Sequence, residues 1–91
     1  MAIRVLDKKK IIDNEIYRWV SVCDLEIPEF YPSSTESVYS FFMSDMGKYV
    51  KENGKEIQLF EQQNIIHLVT DVTICCYMKE KDITYLSLKY A

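Results

Sequence analysis

The stretch from Ser34 to Gly54 constrains the fold more than any other, because it alone reads clearly as an amphipathic helix. Everything around it looks like strand and turn, and strands with an apolar face need a layer to bury it. Ser33, Ser34 and Thr35 offer side-chain oxygens to the open N–H groups of a first turn. Glu36 sits where the helix dipole favours a carboxylate. At about 100° per residue, Val38, Phe42, Met46, Tyr49 and Val50 fall on one face, with Tyr39 and Met43 widening the stripe. Ser37, Ser40, Ser44, Lys48 and Lys51 fall opposite. Asn53-Gly54 follows a basic last turn as a stop signal. Gly47 is the flaw, since a mid-helix glycine costs roughly 1 kcal/mol relative to alanine. It lies on the polar face, where an ordinary surface glycine is the default and close approach of a neighbour is the alternative.

Before the helix, residues 3–12 read as a strand with Ile3, Val5, Ile11 and Ile12 as its apolar members. Asp13-Asn14 fits a hairpin turn, because both residues tolerate positive φ. Residues 15–25 form the next strand, with Ile16, Arg18, Val20 and Val22 on one face and Tyr17, Trp19, Ser21 and Cys23 on the other. Pro28 and Pro32 then bracket Phe30 and Tyr31 in a loop that crosses to the helix. That aromatic pair either folds back onto the core or is offered to a partner.

After the helix, residues 55–62 read as a strand and 61–64 as a polar break. Residues 65–78 make a long strand-like run, with Thr70-Asp71 as a dividing bend. Its phase Ile66, Leu68, Thr70, Val72, Ile74, Cys76 and Met78 is the more consistently apolar and is expected to face the helix. Residues 79–82 read as a charged turn, and 83–90 as a closing strand. The expectation is an α+β fold over residues 1–91: a single two-layer domain in ββαβββ order, with one antiparallel sheet of four to five strands and one helix across one face.

With 91 residues there is room for one domain, and 48% apolar residues exclude a disordered chain. The net charge of −3 argues against nonspecific binding to phosphate backbones. The short run Lys8-Lys9-Lys10 reads as a solvated face or a guarded strand edge. Basic residues do not interleave with the sheet aromatics in the sequence pattern, so nucleic acid is not an expected partner. Cys23, Cys75 and Cys76 match no zinc spacing and read as buried free thiols in a reducing cytosol. No segment reaches transmembrane length, and the first residues lack a signal-peptide core, so the expected location is cytoplasmic, the host's cytoplasm if a virus encodes the chain.

No catalytic, cofactor-binding or metal-binding set emerges. His67 is the one histidine and sits mid-strand, and the chain has no glycine-rich phosphate loop. Asp24, Glu26 and Glu29 make at most a local negative patch. The sequence therefore favours a non-enzymatic protein-binding module over a small enzyme or small-molecule sensor with a Cys/His/Tyr pocket. Such a module would be a subunit, adaptor or inhibitor, of the kind a virus or mobile element directs at a host protein. Its contacts are expected from Trp19, Phe60, Tyr77 and Tyr85 on the uncovered sheet face, from a sheet edge, or from Phe30 and Tyr31 in the 28–33 loop. The partner is a protein, and self-association into a homodimer through the same surface is a variant.

Overall fold

A computed structural model describes residues 3–28, 34–66 and 68–90. The elements are β1 (Arg4–Ile12), β2 (Glu15–Pro28), α1 (Ser34–Met43), α2 (Asp45–Asn53), β3 (Lys55–Asn64), β4 (Val69–Lys79) and α3 (Glu80–Lys89). The fold is α+β, with one antiparallel sheet of four strands in the order β1-β2-β4-β3 and three helices. The element order is thus ββααββα rather than ββαβββ.

The first hairpin turns where its residues allow. Asp13 and Asn14 take φ of 52° and 64°, the left-handed pair that matches strand twist. β2 then pairs with β4 from Tyr17 opposite Lys79 to Pro28 opposite Val69. Pro28 is tolerated because it is the last residue of the ladder. The register shifts between Ser21 and Cys23, so Val22 is an extra residue on β2. The strict alternation read along β2 breaks there, and Cys23 joins Val20 and Val22 on the helix side instead of following Trp19.

The long amphipathic stretch is two helices, because Ser44 restarts it. Ser44 has extended backbone angles and caps α2, its Oγ accepting the Gly47 N–H at 3.1 Å. Asp45 supplies the acidic first turn. The break explains Gly47, which is buried: a Cβ there would lie 1.8 Å from the Phe41 carbonyl oxygen. Close approach is therefore what the glycine serves, and the surface default is corrected. The break also shifts the helical phase, so Phe41 joins Met46 and Val50 in the core while Phe42 packs only at its margin.

The closing segment is a helix, not a strand. Glu80 and Asp82 occupy its first turn and Lys89 its last. Ile83 and Leu86 are buried while Leu88 points to water, a spacing of three rather than two. Asp82 accepts a 2.7 Å hydrogen bond from the Tyr49 hydroxyl, which ties α3 to α2. The bend expected at Thr70-Asp71 is absent, since β4 pairs through both residues with β2 and β3. The turn falls earlier, at Ile65, Ile66 and Leu68, and the polar residues 61–64 extend β3.

Helices α1, α2 and α3 cover one sheet face and bury Val20, Val22, Cys23, Ile74, Cys76 and Met78 against Phe41, Met46, Val50, Ile83 and Leu86. β4 is central and buried on both faces, so its run from Ile74 to Met78 is apolar in both phases.

Candidate interaction surface

The sheet face opposite the helices is uncovered by any described element, yet Trp19 and Tyr77 are only 8% and 5% exposed. With Tyr17 and Cys75 they form a second small core, flanked by Leu6 and Ile12. The cause is curvature. β1 and β3 are the two edges of the sheet, about 14 Å apart if it were flat. Side chains stand roughly perpendicular to a sheet, yet Lys10 of β1 reaches Glu56 of β3 in an ion pair. Lys10 and Glu56 lean over this face from opposite edges, and a sheet coiled toward it shortens the span they bridge. Bulges in β1 between Val5 and Lys9, and in β3 between Lys55 and Gln58, supply the bend.

Lysine stems line the resulting trough. Lys8 Nζ lies 5.3 Å from the Trp19 ring centre and 5.9 Å from that of Tyr77. Lys10 Nζ stands 5.6 Å from Tyr77, and Lys79 Nζ 5.8 Å from Tyr17. Basic residues and aromatics do interleave here, contrary to the sequence reading, because the bulged β1 places Lys8 and Lys10 over β2 and β4. Lys10 and Lys79 are also neutralised by Glu56 and Glu15. At the far end of the face Asp24 takes Arg4 at 3.3 Å and the Thr73 hydroxyl at 2.9 Å, which absorbs much of the negative patch expected there.

The expected contact residues therefore part company. Trp19 and Tyr77 pack at a tilt of 59° with ring centres 4.7 Å apart inside the trough and form core. Phe60 meets Trp19 edge-on at 6.5 Å and keeps half its surface in water. Tyr85 belongs to α3 in the opposite layer, where it stacks on Tyr49 at 4.6 Å and accepts a hydrogen bond from Lys89. Phe30, Tyr31 and His67 lie outside the described residues.

The sequence reading missed the hairpin tip. Ile65, Ile66 and Leu68 are 82%, 88% and 51% exposed at the turn between β3 and β4. Asn64 Oδ1 accepts the Ile66 N–H at 3.1 Å, a side-chain-built turn, and Leu68 is held at φ 52°. Positive φ is an outlier for a bulky side chain and is characteristic of strained functional loops. A shallow hollow beneath the tip is lined by Gln63, Asn64, Ile65, Leu68, Val69 and Thr70. Asn64 preceding a β-prone run was the available signal, but Ile65-Ile66 reads as strand by composition.

The thiols sit elsewhere. Cys23, Cys75 and Cys76 are buried and free. Burial, with a smaller contribution from Asp24, pushes Cys23 up to about 11, and burial, with its neighbour Cys75, pushes Cys76 up to about 12. Cys75 is raised as well, chiefly by burial. Such thiols are poor nucleophiles. Among the described residues no cluster of His, Cys, Asp or Glu could hold a metal ion, and no helix is long and apolar enough to cross a membrane.

The fold and this surface define a small α+β domain with an exposed apolar tip. Comparison with known protein families, curated proteins and solved structures finds no match to the chain.

Proposed function

We propose that the chain is a non-enzymatic protein-binding module, acting as a subunit, adaptor or inhibitor, that docks through its hairpin tip. The observation that carries this reading is the exposure of Ile65, Ile66 and Leu68 side by side on a turn with a strained Leu68 backbone. Exposed aliphatic groups add nothing to the fold, and grouped ones mark contact sites. Each such side chain is worth roughly 1.5–3 kcal/mol when a partner buries it. The chain leaves β2 at Pro28, opposite Val69, at the same end of the sheet as the tip. A virus or mobile element would use such a module against a host protein, and the buried thiols suit the reducing cytoplasm.

The alternative, a small enzyme or sensor with a Cys/His/Tyr pocket, draws no support from the cysteines, which are held protonated on strands inside the two cores.

The test uses three immobilised forms of the full chain in native lysate: the parent, Ile66→Ser/Leu68→Ser, and Lys48→Ala/Lys51→Ala on exposed helix surface. A protein retained in near-equal molar amount by the parent and the helix variant, and at least about tenfold less by the tip variant, is expected. Equal retention by the tip variant, or no such protein, overturns the reading. Unchanged circular dichroism confirms that each form is folded.

A further inference from the structure

The two edges of the sheet are built differently. β1 carries Asp7-Lys8-Lys9-Lys10 and loses register between Val5 and Lys9, and both devices hinder the addition of another strand. β3 is regular from Gln58 opposite Cys75 to Asn64 opposite Val69. From Ile57 to Asn64 its sequence holds one charged residue, Glu61, and no proline, glycine or lysine. Leu59 and Phe60 sit mid-strand, 48% and 50% exposed. Among the described residues no strand pairs with the outer side of β3. A regular, near-neutral edge of this kind is a template for strand addition.

We infer that β3 pairs antiparallel with β3 of a second copy, joining two sheets into one of eight strands around a two-fold axis at Phe60. The register follows from charge and geometry. Pairing is bounded by the bulge at Glu56, where φ is 52°, and by the turn at Ile65, which leaves Phe60 near the middle. A two-fold at Glu61 would set two carboxylates face to face, which is destabilising in a cross-strand pair. A two-fold at Phe60 instead places Glu61 opposite Leu59, Gln58 opposite Gln62 and Ile57 opposite Gln63, with no like charges opposed. The two Phe60 rings meet at the axis, each already steadied by its edge-on contact with Trp19. β1 of the second copy is a poorer partner, because its bulge and lysines break the ladder. The paired segment, residues 57–63, stops short of both hairpin tips, and the dimer does not rest on the tip-docking proposal.

The experiment is sedimentation velocity of the full chain across a hundredfold concentration range. A mass of twice 10.8 kDa that persists in the tip variant Ile66→Ser/Leu68→Ser is expected. Phe60→Lys sets two ammonium groups together at the axis and is expected to raise the dimer dissociation constant at least about tenfold, whereas Lys9→Ala on the other edge leaves it unchanged. Because Phe60→Lys also removes a Trp19 contact, the register is read separately by oxidation. Phe60→Cys is expected to cross-link to a covalent dimer, and Ile57→Cys is not. A monomer at every concentration, a dimer dispersed by the tip variant, or cross-linking at Ile57→Cys without Phe60→Cys overturns the inference.

Discussion

The two faces of the sheet solve one problem, burial of apolar side chains, by different means. On one face the helices supply a second layer, and Val20, Ile74, Cys76, Met78 and Leu86 are completely enclosed by rigid neighbours. On the other, no layer exists among the described residues. Trp19, Tyr17 and Tyr77 are shielded by sheet curvature and by lysine side chains whose ammonium groups lie over the rings. The first core is packed by backbone elements and relaxes little around a defect. The second is roofed by flexible side chains that can follow a change beneath them. The two cores should therefore respond unequally to the loss of a buried side chain.

The largest effect is expected at Gly47, where the helical layer depends on two backbones touching. Gly47→Ala drives a Cβ into the Phe41 carbonyl, and a loss of about 3 kcal/mol or more is expected in urea titration. Leu86→Ala should cost about 2–5 kcal/mol through the cavity it leaves. Trp19→Leu on the opposite face removes more atoms but should cost only about 1–2 kcal/mol, because the lysine roof can settle. Equal losses for Leu86→Ala and Trp19→Leu would abolish the distinction between the cores. Lys8→Ala should cost about 0.5–1 kcal/mol and shift Trp19 fluorescence to the red as water reaches the ring.

The subtlest probe is pH. The hydrogen bond to Asp82, helped by burial, raises Tyr49 from 10.0 to about 12. Its contribution is complete below pH 10 and is lost as pH rises through the folded value, because the unfolded chain then gives up the proton first. Lys10, Lys79 and Lys89 are raised too, by Glu56, Glu15 and Tyr85, and lose their contributions in the alkaline range. Tyr49→Phe should leave the part of the alkaline decline owed to these lysines and to the raised thiols of Cys23, Cys75 and Cys76, and remove the part owed to Tyr49. An unchanged slope between pH 10 and 12 would show that the Tyr49–Asp82 tie does not hold α2 to α3.

The class of fold was legible in the sequence, since turn chemistry at Asp13-Asn14 and the alternation of strands are local. What was not legible depends on contacts far along the chain. Residues 83–90 are β-prone by composition, and only the burial of Ile83 and Leu86 under α2 and the sheet makes them helical. The restart at Ser44 was written locally, as a cap with Asp45 and Gly47 behind it, but apolar periodicity running through the break concealed it. The surface was hardest to read. Alternation showed that Trp19 and Tyr77 share a face, but coiling decides whether that face is open, and coiling comes from bulges with no clear sequence mark. The tip was hidden because isoleucines argue for a strand unless Asn64 has already turned the chain.

Leu68 carries a consequence for how the molecule could be improved or ruined. A glycine there would adopt the left-handed backbone without strain, and Leu68→Gly is expected to relieve about 1 kcal/mol. A sequence optimised for durability alone would make that exchange and lose an aliphatic group from the tip. Thermal selection and selection for the proposed contact thus pull this position in opposite directions, and a library randomised at residue 68 would separate the two pressures.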